Sequence, residues 1–336
     1  MQKKHISLLL IFLIISILLN LTVGSTTVDL RTLWETVLGV SNNDSVSIAI
    51  IHYRLPKTIT AVLAGIALSI SGLIMQTVFR NPLAGPYVLG VSSGAGLGVA
   101  LAMLGSTALG ITGFFSNLTI VISALIGSGL VLFVLLAVSL RIKDIMTILI
   151  LGILFGSAIS AIIGVMQYFS PENALKAYVI WTMGSLGTVD TVQIIWLFVV
   201  VSIGFIITLF SSKQLNIMLI GENYAQTSGM NIKMFRILIF SATCFMAGGV
   251  TAFCGPIGFI GIIVPHLSRM ISKTTDHKTL ITYCSLLGAS ILLIADTIAQ
   301  MPGTTGVLPV NTVTALTGIP VVIWIIFRNY RVSGVI

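Results

Sequence analysis

Long apolar segments alternate with short polar ones along the whole chain of 336 residues. A helix needs about 20 mostly apolar residues to cross the hydrocarbon core of a membrane, and ten segments approach or reach that length. The pattern therefore predicts an all-α membrane protein in which residues 1–336 form a single transmembrane domain. The ten predicted spans are residues 6–23, 58–79, 87–105, 118–140, 145–166, 193–211, 234–254, 257–271, 280–300 and 308–327.

Two longer polar segments, residues 24–56 and 167–192, interrupt this alternation. Each contains apolar residues at helical spacing, which predicts short amphipathic helices at the membrane surface. The first span also has the basic head and apolar run of a secretory signal peptide. Because its apolar stretch continues to Val23 and nine further spans follow, we expect an uncleaved first helix.

The composition leaves no room for a soluble domain, since 56% of the residues are hydrophobic, 8% are charged and the mean hydropathy is +1.11. The net charge of +8 does not indicate nucleic acid, because the basic residues are scattered between the spans and form no basic helix face. Cys244, Cys254 and Cys284 lie in apolar segments without metal-ligand spacing. We therefore expect no metal site and no disulfide framework.

The basic residues predict the orientation of the chain. With the N-terminus inside, only four of the 17 lysines and arginines fall outside, and they are Arg31, Arg54, Lys57 and Lys176. If residues 257–271 did not cross, five more would move outside and the asymmetry would vanish. We therefore count this segment as a span and predict a multi-pass membrane protein with both termini in the cytoplasm.

The stretch GPIGFIGIIVPHLSR, residues 255–269, is rich in glycine and proline for a transmembrane segment. Irregular backbone at membrane depth is tolerated only where protein or a wet cavity covers it, so we expect this stretch inside the bundle. It resembles PLAGPYVLGVSSG at 82–94, at an offset of 174 residues. That offset relates spans two to five and seven to ten as inverted repeats, a transporter architecture. Chance similarity between two such segments is the alternative.

Polar groups in the spans offer little for catalysis. A Ser-His-Asp hydrolase would need Ser92, Ser93 or Ser268 to meet His266 and Asp296, but no nucleophile motif is present and the topology separates them. An ion-coupled secondary transporter needs intramembrane charges, of which Asp296 is the single clear acidic example. The chain also has no phosphate-binding GxxxxGK[ST] motif. We therefore expect a transport subunit without catalytic residues or cofactor, whose energy enters elsewhere, with any nucleotide hydrolysis on a separate subunit.

Several motifs follow one another in a characteristic order from about residue 50 to the C-terminus: RLPK (54–57), SGLIMQTVFRNPLAGPYVLGVSSGAG (71–96), WTMGSLGTVD (181–190), GENYAQTSGMN (221–231), the stretch at 255–269, TDHK (275–278), LLIADTIAQ (292–300) and LPVNTVTALTGIPVVIWIIFR (308–328). Together they resemble the FecCD permease family, the membrane subunits of ATP-binding cassette (ABC) importers for iron-siderophores, haem and cobalamin. The resemblance implies a cobalamin-permease-like fold in the bacterial cell membrane that pairs with a second permease copy or a related chain. It also implies two ATPase subunits, an extracytoplasmic binding protein and an iron-chelate cargo, with haem or cobalamin as alternatives.

The resemblance also implies roles for residues at the outer face. Arg54 and Lys57 match a basic pair that docks the binding protein, and the alternative is two charges that snorkel at a helix start. Gln300 stands where the family often has a third basic residue, which weakens the charge complement.

Other matching positions lie toward the cytoplasm or inside the bundle. Asn81 and Leu83 match a cytoplasmic gate. Gly221, Glu222, Ala225 and Gly229 match a loop that engages the ATPases, with Ala225 expected to enter a partner's cleft and Gly229 to stop a short helix; a solvated loop is the alternative. A packing role is implied for Gly255, Gly258, Gly261, Pro265 and Arg269. Spans five and ten should line the path.

Overall fold

The computed structural model describes residues 2–24, 28–39, 45–105, 117–139, 141–142, 144–300 and 306–332, and these described residues form helices and turns without a β-strand. In chain order the helices are α1 (Gln2–Thr22), α2 (Leu30–Val37), α3 (Leu55–Val78), α4 (Val91–Ala100), α5 (Asn117–Ser139), α6 (Ile145–Tyr168), α7 (Glu172–Thr182), α8 (Thr191–Phe210), α9 (Ser212–Ile220), α10 (Glu222–Thr227), α11 (Ile232–Cys254), α12 (Ile260–Ser272), α13 (His277–Ala299) and α14 (Val310–Val332).

Short irregular turns extend or interrupt three of these helices. Ser45–Ala49 and a π-helical turn, Ile50–Arg54, lead into α3, and a second π-helical turn, Leu101–Gly105, continues α4. A third, Cys244–Gly248, lies within α11. A 3₁₀ turn, Pro86–Leu89, precedes α4.

The predicted all-α fold is confirmed. Within the described residues, seven helices are long and apolar enough to cross a membrane: α1, α3 with its preceding turns, α5, α6, α8, α11 and α13. The apolar parts of α4, α12 and α14 are shorter, at Val91–Gly105, Ile260–Ser272 and Val310–Ile325. All ten coincide with predicted spans, but a count of ten complete crossings stays a prediction. The surface helices expected after the first and fifth spans correspond to α2 and α7.

Helix α3 lies at the centre of the bundle, where almost every side chain from Ala61 to Phe79 is buried. It packs against α13 with the two backbones in direct contact at Gly65 and Gly288. A Cβ at either glycine would overlap the carbonyl of the other. Contact of this kind needs small residues, because lipid-embedded helices associate mainly by close packing.

Helix α12 packs on the next turns of α3. The contact lies where Pro265 interrupts the backbone hydrogen bonding of α12. Pro265 has no N–H, so the Gly261 carbonyl four residues earlier loses its helical donor. That carbonyl lies directly against Gly72 of α3, where a Cβ would overlap it. The next carbonyl, of Ile262, accepts a hydrogen bond of 3.0 Å from the Gln76 Nε2. Gly72 and Gln76 are four residues apart and therefore lie on one face of α3.

The remaining amide oxygen of Gln76 accepts a hydrogen bond from Arg269 Nη1, one turn beyond Pro265. Gln76 therefore joins the interrupted turn of α12 to its C-terminal half. This arrangement accommodates glycine, proline and arginine in one apolar segment: Gly72 of α3 leaves room for the freed Gly261 carbonyl, and Gln76 bonds both the neighbouring Ile262 carbonyl and Arg269.

Helix packing follows the predicted repeat. The repeat relates α3–α6 to α11–α14. The contact of α3 with α13 has its counterpart in the contact of α11 with α5, and the contacts of α4 with α5 and α6 have theirs in the contacts of α12 with α13 and α14. The two similar segments also contact each other, since a Cβ at Gly261 would lie 2.6 Å from the Pro86 Cδ. In addition, the Ile257 N–H donates to the Tyr87 hydroxyl at 3.1 Å. The glycine- and proline-rich segments therefore meet inside the bundle.

The contact between α3 and α12 generates a stability prediction. Gly72→Ala places a Cβ on the Gly261 carbonyl, so the helices must separate, and overpacking of this kind costs about 1–3 kcal/mol. We expect a lower thermal-unfolding midpoint for the purified protein. Gly129→Ala in α5 is the control, because its Cβ would have no atom within 4 Å. Alanine there gains up to about 1 kcal/mol of helix propensity. Equal midpoints for the two variants would contradict the assignment.

Candidate functional site

Two groups of candidate residues lie at opposite ends of the bundle. The end at which α1 terminates, near Thr22, is the predicted outer end, and the end at which α1 begins is the predicted cytoplasmic end.

A cluster of polar side chains at the predicted outer end surrounds Asp296 of α13, which is fully buried. Its Oδ2 accepts hydrogen bonds from Asn20 Nδ2 at 2.9 Å and from Gln300 Nε2 at 3.0 Å. The Lys57 Nζ lies 2.9 Å from Oδ1. Thr58 completes the cluster by donating from its hydroxyl to Asn20 Oδ1 at 2.7 Å. We call these five residues the Asp296 cluster, and they join α1, α3 and α13.

The Asp296 cluster changes the interpretation of two predicted docking residues. Lys57 is an ion-pair partner of a buried carboxylate and only 18% of its side chain is exposed, while Gln300 turns its amide to the same carboxylate. A buried charge is tolerated when it is paired and hydrogen-bonded; here Lys57 supplies the opposite charge and Gln300 a hydrogen bond. The resemblance gave no sign of this pairing. The sequence did contain a clue to it, because Asp296 is the single clear acidic residue inside a predicted span and a buried carboxylate needs a nearby cation.

Arg54 has a different environment. Its Nη1 donates to the carbonyls of Leu21 and Thr22, at 2.8 and 3.2 Å, where α1 ends. A cation at a helix C-terminus interacts favourably with the helix dipole. Arg54 is half-buried. It lies beside Gln300, because both side chains border Gly24: a Cβ built there would lie 3.2 Å from Arg54 and 2.8 Å from Gln300.

At the predicted cytoplasmic end, the gate candidates form a tight turn after α3. Arg80 adopts a left-handed conformation, with φ +48°, and Asn81 N–H donates to the Gln76 carbonyl at 3.2 Å. The Asn81 side chain accepts the Leu83 N–H at 2.9 Å, which fixes the turn. Leu83 is 41% exposed at the surface of this turn. The Arg80 guanidinium reaches the Met218 carbonyl at the end of α9, at 3.4 Å.

Helix α10 carries the candidate ATPase contact. It follows Gly221, whose φ of +145° and ψ of 152° are accessible mainly to glycine. It ends at Gly229, with φ +84°, where Gly229 N–H bonds the Gln226 carbonyl and Met230 N–H bonds the Ala225 carbonyl, each at 3.0 Å. This pair of hydrogen bonds is a Schellman motif, so the predicted helix stop at Gly229 is confirmed.

Ala225 does not point toward a partner. It is fully buried, because α10 packs this side on α9 and α11 of its own chain. The expectation that Ala225 enters a partner's cleft is therefore wrong. The exposed side of α10 consists of Asn223, Tyr224, Gln226 and Thr227.

The glycines of the broken segment divide into different roles. Gly255 has φ +72°, and a Cβ there would lie 2.5 Å from the Trp181 carbonyl of α7. Gly261 meets the backbone of α3, as described above. Gly258, however, contacts a side chain, since its N–H donates to Asn311 Oδ1 at 2.9 Å. Gly258 therefore faces another helix as expected, but α14 meets it through the Asn311 side chain and not through its backbone.

The residues considered for a hydrolase have separate partners. Ser268 lies 3.3 Å from the Cys284 Sγ, and Asp296 belongs to the cluster at the predicted outer end. Cys254 and Cys284 are buried, which agrees with small core residues.

An open groove of about 460 Å³ lies between α6 and the segment that leads into α4. The hydroxyls of Ser157 and Ser160 in α6 donate to carbonyls of their own helix. None of the lining side chains is charged, so the groove offers weak polar contacts. It is lined by Tyr87, Gly90, Ser93, Gly152, Ile153, Gly156, Ser157 and Ser160.

The chain resembles transport permeases of known sequence and structure. The sequence profile of the FecCD transport family matches residues 11–328. The vitamin B12 import system permease protein BtuC of Shigella boydii serotype 18 is 34% identical over 333 residues, which cover 98% of each chain. The hemin transport system permease protein HmuU of Yersinia pestis is 34% identical over 336 residues, which cover 97% of this chain and 96% of that relative. A metal-chelate type ABC transporter in an inward-facing conformation superimposes with a TM-score of 0.84 at 27% identity, over 97% of this chain and 99% of that chain.

The Asp296 cluster generates a second stability prediction. Lys57→Met leaves the buried carboxylate without its cation, and removing one partner of such a pair costs roughly 3–5 kcal/mol. We expect Lys57→Met to lower the thermal midpoint strongly, and the double variant Lys57→Met/Asp296→Asn to recover most of the loss because no charge remains. If the double variant is no more stable than Lys57→Met alone, the ion pair does not support the fold.

Proposed function

This chain belongs to the FecCD transport family, and we propose that it carries a metal chelate inward through a path that it shares with a second permease chain. As a family member it is a membrane-spanning permease subunit of an ABC importer. The match to the family over residues 11–328 is the observation that carries the proposal, because it covers nearly all of the described helices.

The proposed cargo is an iron-siderophore, with haem and cobalamin as alternatives that the names of the relatives favour. These cargoes are all bulky chelates, and a carrier must let such a molecule leave as readily as it enters. The groove beside α6 suits this requirement, because the Ser157 and Ser160 hydroxyls are bonded to their own helix and none of the lining side chains is charged. We propose that this face of α6, together with α14, lines the path.

The two ends of the bundle have different proposed roles. A binding protein docks at the outer end, and of the three candidates there Arg54 is best placed to meet it, since Lys57 and Gln300 are turned to Asp296. The turn at Asn81 and Leu83 closes the path at the cytoplasmic end. The exposed side of α10 receives the movement of the ATPase, so that ATP binding and hydrolysis alternate access to the path.

The cargo is tested by reconstituting the chain in liposomes with the ATPase and binding protein encoded in the same genome. We expect ATP-dependent uptake of an iron-siderophore and stimulation of ATP hydrolysis by the loaded binding protein. Uptake of haem and of cobalamin is measured in parallel, and the cargo that is taken up decides between the alternatives. Uptake driven by an ion gradient without the ATPase would contradict the proposal and favour a secondary transporter.

The docking role of Arg54 predicts an effect on association rate. Arg54→Gln keeps a hydrogen-bond donor for the end of α1 but removes the charge. We expect several-fold slower association with the binding protein at low salt, and a smaller difference at high salt, because charges at the rim of an interface act mainly on the encounter. Arg141→Gln, at the predicted cytoplasmic end, is the control with the same charge change. Equal association rates for Arg54→Gln and the wild type would exclude the role.

A further inference from the structure

Arg236 of α11 is a charged residue that the proposed transport path and docking surface do not use, yet it is only 3% exposed. Its Nη2 lies 2.8 Å from Oε1 of Glu222, the first residue of α10. Its Nη1 donates to the carbonyls of Ser139 and Ile142, at 3.2 and 2.8 Å. One guanidinium therefore touches the start of α10, the last residue of α5 and the turn that leads to α6.

The chemistry of the guanidinium suits a rigid connection. Its five N–H donors are held in one plane, so bonds to a carboxylate and to two carbonyls fix the directions of all three groups at once. The pairing is also sheltered from water, because the Arg236 side chain is 4% exposed and that of Glu222 is 26% exposed. A sheltered charge-assisted bond is stronger and more directional than a pair at the surface. Displacement of Glu222 must therefore move the other contacts of Arg236 or break the ion pair.

The turn that Arg236 holds determines where α6 begins. Asp144 caps α6, accepting the Thr147 N–H at 2.9 Å. Hydrogen bonds from the Thr147 hydroxyl and backbone, and from Met146, keep the pKa of the Asp144 carboxyl below its ordinary value, and the positive charge of Arg236 acts in the same direction. The carboxylate that caps α6 is thus also within the field of Arg236.

We propose that Arg236 is a positioning residue that transmits movement of α10 to the turn between α5 and α6. This inference rests on the proposed function, in which α10 receives the ATPase and α6 lines the path. The Glu222–Arg236 pair joins α10 to the turn that Arg236 also holds through Ile142. When the ATPase displaces α10, the turn and the start of α6 follow.

The test compares nucleotide-free and ATP-bound importer in nanodiscs, using a non-hydrolysable ATP analogue and the complete complex. Hydrogen exchange is measured for two sets of backbone amides: those of α10, and those of Arg141, Ile142 and the first turn of α6. Uptake per ATP hydrolysed is measured on the same preparations in liposomes. The variants are Glu222→Ala, which removes the link, and Glu222→Gln, which keeps the shape of the side chain but removes its charge. Glu35→Ala is the control, because it breaks an exposed ion pair with Arg31, also of 2.8 Å.

We expect both sets of amides to respond to the nucleotide in the wild type and in Glu35→Ala. In Glu222→Ala, α10 should still respond to the nucleotide and the α5–α6 turn should not. Uptake per ATP should fall severalfold, because hydrolysis then no longer moves the start of α6. A purely structural role would lower stability without separating the two responses. If the turn responds and uptake per ATP is unchanged in Glu222→Ala, the inference is overturned.

Two further outcomes separate the inference from the proposed function. If α10 in the wild type does not respond to the nucleotide, the ATPase does not act through α10, and the coupling role proposed for that helix fails first. If Glu222→Ala does not assemble, Glu222→Gln decides: a weakened response of the turn supports the link through Arg236, and a wild-type response overturns it.

Discussion

A backbone polar group inside a lipid-embedded bundle must find its partner within the protein, because no water reaches it. The arrangement of α3 and α12 follows from this constraint. Pro265 interrupts α12, and α3 meets the irregular turn with two residues: Gly72 allows close approach of the freed Gly261 carbonyl, and Gln76 donates a hydrogen bond to the neighbouring Ile262 carbonyl. The central helix is therefore shaped by the irregularity of its neighbour, and the break in α12 is held rigidly instead of being a weak point.

The same constraint acts on charge at both ends of the bundle. Asp296 is buried where α1, α3 and α13 meet, and Lys57, Asn20 and Gln300 turn to it. Arg236 is buried where α5, α10 and α11 meet, and it collects one carboxylate and two carbonyls. Each buried charge thus fixes three helices, at one end around an anion and at the other around a cation. The groove beside α6, by contrast, has no charged side chain in its lining.

Sequence reasoning located the helices well, because long apolar segments and helix-stopping residues are local signals. Gly229 ends α10 as expected, since the left-handed conformation at that position is a property of one residue. It failed for Ala225, because a helix of six residues has too little periodicity to tell which side is buried. It gave no sign that Lys57 pairs with Asp296, which is far away in the sequence, or that Gly258 meets the Asn311 side chain across the bundle. These contacts depend on which helices become neighbours, and no local pattern specifies that.

The hydrogen bond from Asn20 to Asp296 joins residues 276 positions apart, and it has a consequence for the order of biosynthesis. At about 5–20 residues per second, a ribosome needs roughly 14 to 55 s to travel from one to the other. Throughout that interval the first helix has been made but its partner in α13 does not yet exist. Asn20 and Lys57 must wait near the membrane surface, where water can solvate them. The Asp296 cluster is therefore completed only when the penultimate apolar segment has been inserted, so truncation before α13 removes the main packing partner of the first helix.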